Sequence, residues 1–532
     1  MKPKADKVYI VGSGPSGVAA ARALLGRNRR VCMLDAGVTM EPERKLEIET
    51  LVKAGDIESC RAMMRDRTLL QCPPSNFHRK LACGSDFPYR RADAFIGCEP
   101  GSHEIHSSFA LGGLSNVWGA SALPFAGEDI ADWPVSKPEM EPHYRAVCSF
   151  MRIAGSVDSL ARHFPFFGEP ATPFEMSPEA KALLDALTAR APQLDKLGIH
   201  VGRSRVALSP TYPTAGPYFP ELYIYGLASG ATFNAADVVA DMKKNPNFEY
   251  VPGVAVTGFQ EEDARVVLSA VRTETGEKIR FEGARVFLAA GVMPTARIVL
   301  SSLGAHGRSI TLRQSLHFYF PFLHLFPNQN GGGKGASSLA EIFLVMRQPD
   351  NAGHWVFLLL NRFSEFFLER LAERSRPAAA IVRALQASPF INFFLCQGYL
   401  HSAVSPAMKL EVVQSVAGTT DVLRLTPESH RNAAKTVRRI VGHLASGTWK
   451  CGAFPTSAAL DTGMPGRGNH VGGTFPMRRS PGRLECDPLG RPKGLQRIHL
   501  VDASVLPSIP ATTITLGVMA NAHRIATIAC DL

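Results

Sequence analysis

Hydrophobic positions open the chain as a short unbroken run, Val8 to Val11, the pattern of a strand buried on both faces of a parallel sheet. The Ala- and Leu-rich stretch Val18 to Leu25 predicts a helix, and a second apolar run, Val31 to Leu34, completes a βαβ unit over residues 1–36. Residues 40–100 read as helix followed by irregular loop with Pro, Gly and Cys. Further helices are expected from Lys137 to about Ala154, over 178–195 and over 233–244. Strands are expected at Phe248 to Val251 and Val254 to Phe259, and a hairpin at 264–274 and 278–282 around Thr275-Gly276-Glu277. Ala284 to Gly291 reads as a buried strand ending in Ala290 and glycine, with a helix from Pro294 to Ser301 beside it. This unit returns the chain to its first domain.

The pattern changes over 316–415. Strand-like runs, Phe318 to Phe326 and Trp355 to Leu360, are joined to a basic amphipathic helix from Phe363 to Leu385. The run 389–395 is unusually apolar. It reads as core, with a greasy substrate entrance or a membrane-surface patch as the alternatives. Residues 430–446 predict one more helix. No stretch of about eighteen apolar residues is present, so no transmembrane helix is expected.

Composition narrows the class. With 532 residues, 45% hydrophobic and 20% charged, the chain can bury the cores of two or more domains. MKPKADK runs straight into the first strand and leaves no room for a secretory leader there, so cytoplasmic residence is the expectation. Ten cysteines stand singly, without C-x-x-C or zinc spacing, and read as reduced thiols with no metal site. The net charge is +11, but the basic residues lie in pieces such as Arg27-Asn28-Arg29-Arg30. Nucleic-acid binding is therefore not expected, and an acidic substrate or anionic surface explains the charge equally well.

Chemistry enters at both ends. Gly12-Ser13-Gly14-Pro15-Ser16-Gly17 fits G-x-G-x-x-G between a strand and a helix. Gly12 allows the tight turn, Gly14 lets backbone approach a pyrophosphate, and Gly17 permits close helix–strand packing. Asp35 falls where a ribose-binding carboxylate is expected. Residues 107–125 are dense in small residues around Trp118, as backbone lying against a flat ligand would be. Near the C-terminus stand His470-Val471-Gly472-Gly473-Thr474 and the segment 502–515.

On these blocks the sequence resembles the glucose–methanol–choline (GMC) oxidoreductases, the FAD-dependent alcohol dehydrogenases and oxidases. The matching segments, in family order, are GSGPSG with Asp35, GGLSNVWG, GARVFLAAGVMPTARIVLSS, HVGGT and DASVLPSIPATTIT. The 112–125 block and the following WPV look most like the sugar-oxidising branch related to pyranose and C-glycoside oxidases. The resemblance implies an α/β fold: a Rossmann-like FAD-binding domain with a parallel sheet, plus an α+β substrate domain with a mainly antiparallel sheet. Residues 1–310 and 446–532 would form the first, with substrate-domain segments at about 130–230, and 311–445 the second. It assigns Gly12, Gly14, Pro15, Ser16 and Gly17 to the FAD pyrophosphate, Asp35 to the adenosine ribose and Val254 to the adenine. Gly112, Gly113, Ser115, Asn116 and Trp118 would line the flavin. Ala290 and Gly291 would sit beside the cofactor, Asp502 and Ala503 by its pyrophosphate and ribityl region, and Thr513 by the pyrimidine edge. The family's base would be His470. Imidazole suits removal of an alcohol proton near neutral pH, while the hydride goes to flavin N5.

Two positions depart from the family. Ile509 stands where a second His or Asn is expected, leaving Ser508, Thr512, His401 or Tyr399 to hold the substrate oxygen. Val117 stands where covalently flavinylated relatives carry His, which implies non-covalent FAD. The implied function is oxidation of a CH–OH group of a sugar, glycoside or polyol, with oxygen or a redox partner as electron acceptor. A lipophilic or sterol-like alcohol is the alternative substrate. A catalytically degenerate FAD-binding partner protein, possible through Ile509 alone, is the alternative of another class.

Overall fold

The computed structural model describes residues 7–66, 68–72, 80–97, 103–209, 231–325, 339–349, 351–363, 365–388, 390–414, 421–428 and 433–531. Cys98, Phe326, Pro389 and residues 430–432, each part of a prediction above, lie outside them.

The apolar runs that open and close the chain meet in one parallel sheet. Its strand order is Ile498–Leu500, Arg285–Leu288, Val8–Val11, Val31–Leu34 and Phe248–Val251. Apart from Arg285 and the half-exposed edge strand Phe248–Val251, their side chains are almost wholly buried on both faces, as continuous runs require. Helix Pro15–Leu25 and the C-terminal helix Thr515–Ala529 pack together over this sheet. Their contact faces carry alanines, Ala19, Ala20, Ala23, Ala522 and Ala526 among them, so the backbones can lie close. Val254–Glu261, Val266–Arg272 and Lys278–Gly283 form a separate antiparallel sheet containing the expected hairpin.

A second large sheet is antiparallel. Its order is Ala453–Pro455, His317–Leu325, Ile391–Leu400, Asn351–Arg362, Ile342–Gln348 and Ile199–Arg203. Phe318, Phe320, Phe322, Phe394 and Cys396 face one core with helix Ala433–Thr448 behind it. The intervening residues point the other way, by the two-residue period of strands. A four-stranded sheet, Asp421–Pro427, Met408–Gln414, Ile310–Gln314 and Val471–Gly472, joins the two halves. Among the described residues no helix is long and apolar enough to cross a membrane.

Several element boundaries differ from expectation. The helix from Lys137 ends at Cys148, because Arg152–Ala154 pairs as a strand with Val206–Leu208. The 178–195 helix breaks into Pro178–Thr188 and Ala191–Lys196, with a proline in the first turn of the second. The basic helix over 363–385 is two helices, Glu365–Arg374 and Arg376–Gln386. Ser375 caps the second through a hydrogen bond from the Ala378 N–H, and Pro377 cannot continue the first. Residues 391–395 are strand rather than uniform core. Phe394 is buried, whereas Phe393 and Leu395 face a cavity.

Candidate active site

One large cavity, about 900 Å³, runs between the parallel and the antiparallel sheets. That size is on the order of the largest cofactor and ligand pockets. Its first limb is built by the N-terminal motif. At Gly12 (φ +100°) an added Cβ would lie 2.5 Å from the Ala289 carbonyl oxygen, and at Gly17 2.1 Å from that of Gly12. These two glycines therefore let the turn, helix and strand close on each other. At Gly14 an added Cβ meets nothing within 4 Å, so this glycine opens onto the cavity. The helix starts at Pro15 with no side chain capping it, which leaves its first N–H groups available to a phosphate.

Asp35 is buried on the same limb. Ser13 Oγ donates to its Oδ2 at 2.5 Å and Tyr250 Oη at 2.9 Å, while Oδ1 takes only a 3.3 Å bond from the Ser13 N–H. Burial pushes the Asp35 carboxyl up to about 6, against these hydrogen bonds. Ser13 Oγ also accepts the Gly112 N–H at 2.9 Å, which ties the 112–118 loop to the motif. Gly113, Ser115, Val117 and Trp118 line the cavity, as do Pro15, Ser16, Val254, Ala290, Gly291, Asp502, Ala503 and Thr513. Gly17, Gly112 and Asn116 do not. Asn116 donates to the carbonyls of Leu111 and Gly113, and an added Cβ on Gly112 would meet Asn234, so both hold the turn rather than the wall. The Asp502 carboxylate is likewise engaged. It accepts from Thr295 Oγ1 at 2.6 Å and from the N–H groups of Gly291 and Ser504.

The fit to a dinucleotide rests on this limb. Gly14 and an uncapped helix end offer an open cradle. Lys80, half-buried on the lining of the same cavity, donates to the Trp118 carbonyl at 3.0 Å, and among the described residues no carboxylate pairs with it. Burial lowers its amine to about 8. An anionic phosphate-bearing ligand answers both features. Lys80 carried no signal in the sequence, standing as one lysine outside any motif.

His470 lies on the cavity wall, toward the antiparallel sheet. The next two residues pair with Ile310–Gln314, and Ser315 N–H donates to the His470 carbonyl, which holds the backbone on both sides. Gly472 and Gly473 pass so close to the 503–506 segment that added Cβ atoms would lie 2.3 and 2.8 Å from its carbonyl oxygens. The imidazole is half-buried, with Nδ1 shut from solvent and unpartnered, and desolvation lowers its pKa to about 4. Tyr399 stacks against it at 4.6 Å, and His317 stacks on Tyr399 at 4.7 Å. Neither ring nitrogen of His317 has a partner, and burial with nearby Arg467 and His470 holds it well below the usual imidazole range. Tyr319, Gln397 and the ion-paired Asp461, Arg467 and Glu104 continue this wall.

Ile509 is not on it. The side chain is fully buried among Phe125, Ile130 and Trp133, and its backbone pairs with Ser402. The expectation that Ile509 occupies the substrate-oxygen position is thus corrected: an apolar side chain has gone to an apolar core. Of the four stand-ins only Tyr399 reaches the cavity. Ser508 accepts from Trp133 Nε1, and Thr512 is buried elsewhere. His401 stacks on His354 beside Asp129, the one group of metal-ligating type found among the described residues. There the Ala403 N–H donates to His401 Nδ1, so Nε2 of the neutral ring carries the proton and is a donor rather than a ligand. His317 was missed in the sequence, although its alternation with the buried Phe318 and Phe320 places it on the opposite face of its strand.

Residues 407–522 match a family model described as GMC oxidoreductase. Among curated proteins no sequence matches the chain. Among solved structures it is similar to the crystal structure of pyridoxine 4-oxidase from Mesorbium loti, at 15% identity, with 98% of each chain covered and a TM-score of 0.59. At that identity the likeness concerns the fold.

Proposed function

We propose that the chain is a member of the GMC oxidoreductases, an FAD-binding family acting on CH–OH groups, and that it oxidises an alcohol with His470 as the base. Gly14, the N-terminus of the helix from Pro15, Asp35, Val254, Gly113, Ser115, Trp118, Asp502 and Thr513 would hold the cofactor non-covalently, since Val117 offers no atom for a covalent link. When bound, FAD supplies the two-electron acceptor that takes hydride from the carbinol carbon as its O–H proton leaves, giving an aldehyde or ketone.

The observation that carries this reading is His470. A half-buried, neutral imidazole lining the cavity can accept that proton. His317 would orient the substrate oxygen from across Tyr399, in the role for which Ile509 is misplaced. With Ile509 in a core, that position offers no second His or Asn, and the alternative reading as a degenerate FAD-binding partner is decided by the titration below. Tyr319, Gln397 and Asp461 offer hydrogen bonds to a sugar, glycoside or polyol. Phe393, Leu395 and Leu371 on the same cavity favour a more lipophilic alcohol. Anaerobic titration of the yellow protein with sugars, glycosides and lipophilic alcohols tests the reaction. Bleaching of the flavin band is expected with one class, and an intact FAD protein bleached by none would overturn it.

A further inference from the structure

The face of the antiparallel sheet that floors the cavity changes character along its strands. Its register sets His317 opposite Tyr399, Tyr319 opposite Gln397, and Pro321 opposite Leu395. Counting from His470, the first two rows are polar on these two strands, with Leu359 of the neighbouring strand beside the second, and the third is apolar apart from Asn361 on that neighbouring strand. Phe393 makes the next step, and Phe367, Leu371 and Val382 of the two short helices close over it. Among the described lining residues between 359 and 395 none is charged, and Asn361 is the one polar side chain. At about 3.3 Å per residue, the polar stretch Tyr399 to Gln397 spans about 7 Å and the apolar stretch on to Phe393 about 13 Å more.

A body rich in hydroxyls would leave them unpaired against this outer wall, at roughly tenfold in affinity or more for each. A bare short alcohol would leave the apolar wall uncovered. We propose that the substrate is an amphipathic alcohol: a small polar head carrying the reacting hydroxyl, and an extended alkyl or aryl body lying along Leu395, Phe393 and the paired helices. This rests on the alcohol-oxidising reading of the same cavity and names its substrate class.

The FAD-loaded full chain would be given primary alkanols from ethanol to decanol, with methyl glucoside for comparison, and flavin bleaching followed anaerobically. The specificity constant for reduction is expected to climb by roughly threefold per added methylene once the chain passes Gln397, with methyl glucoside well below the long alkanols. A flat series, or methyl glucoside above the long alkanols, overturns the proposal while leaving alcohol oxidation standing. Leu395→Gln should cut the ratio between decanol and ethanol by about tenfold or more. Phe367→Gln, on a surface helix, repeats the test should Leu395→Gln fail to fold, and an unchanged ratio in either folded variant counts against the apolar wall. Tertiary alkanols, which have no carbinol hydrogen to lose, separate binding from reaction through the shift of the flavin band. Tighter binding with length, in a protein that no primary alkanol bleaches, would uphold the wall and sink the oxidation reading instead.

Discussion

At His470 burial favours the uncharged imidazole, so the base is ready at every pH above its value of about 4. Flavin reduction should accordingly show no titration from this group across neutral pH, and should fall as acid protonates it near pH 4. His470→Ala should keep FAD yet slow reduction by about a hundredfold or more, the scale of a general base. Unchanged reduction would remove His470 from the chemistry. His317→Phe preserves the stack on Tyr399 and deletes both ring nitrogens. It should cost about tenfold or more in the specificity constant with FAD retained, and an unaltered constant would mean that the substrate oxygen does not reach that ring. Asp35 works in the opposite direction from a paired carboxylate. Its folded pKa of about 6 lies above the ordinary 3.8, so the fold favours its protonated form, and stability from this group is lost as pH rises through about 6. Ribose hydroxyls donate to the ionised form. Loading of the apoprotein with FAD should therefore weaken as pH falls through about 6, and a pH-independent affinity would free Asp35 from the ribose.

Among the elements, the turn between the first strand and first helix separates two uses of glycine. Gly17→Val would drive a side chain into the Gly12 carbonyl and should lower stability by about 1–3 kcal/mol or more. Gly14→Val has open space in the folded protein, so it should melt near the wild type yet purify colourless if that space holds the pyrophosphate as proposed. A yellow, fully loaded Gly14→Val would overturn the pyrophosphate assignment. This motif was legible from sequence because its pattern is local, a strand, a turn and a helix in order along the chain, even though Gly12 also makes room for Ala289 on a distant strand. The basic helix over 363–385 was read as one piece because amphipathic period survives a break, whereas Ser375 and Pro377 set the corner. The strand at 391 was ambiguous for a related reason. An apolar run reads alike whether both faces are core or one face floors a cavity, and only the partner strands and the covering helices decide.

At the scale of the molecule, one cavity is lined from residue 11 to residue 518, so a bound dinucleotide would tie the ends of the chain together. FAD binding to the folded state alone should stabilise it by about 2.7 kcal/mol at a hundredfold excess over its dissociation constant, and so raise the melting temperature with FAD concentration. A melting temperature indifferent to FAD would count against a site shared by both ends. By itself the sequence determined the parallel-sheet core, the glycine turn before the first helix, the late return through Ala284 to Ser301 and the histidine of the C-terminal block, since each is written in residues adjacent along the chain. Tertiary structure alone decided that Ile509 belongs to a core, that His317, Tyr399 and His470 form one stack, that Lys80 lines the cavity with no carboxylate partner among the described residues, and that the wall passes from polar to apolar. Those features depend on residues tens to hundreds of positions apart and on which face of a strand each occupies. Chain-local patterns do not carry that information, because burial and pairing are settled only when the sheets meet.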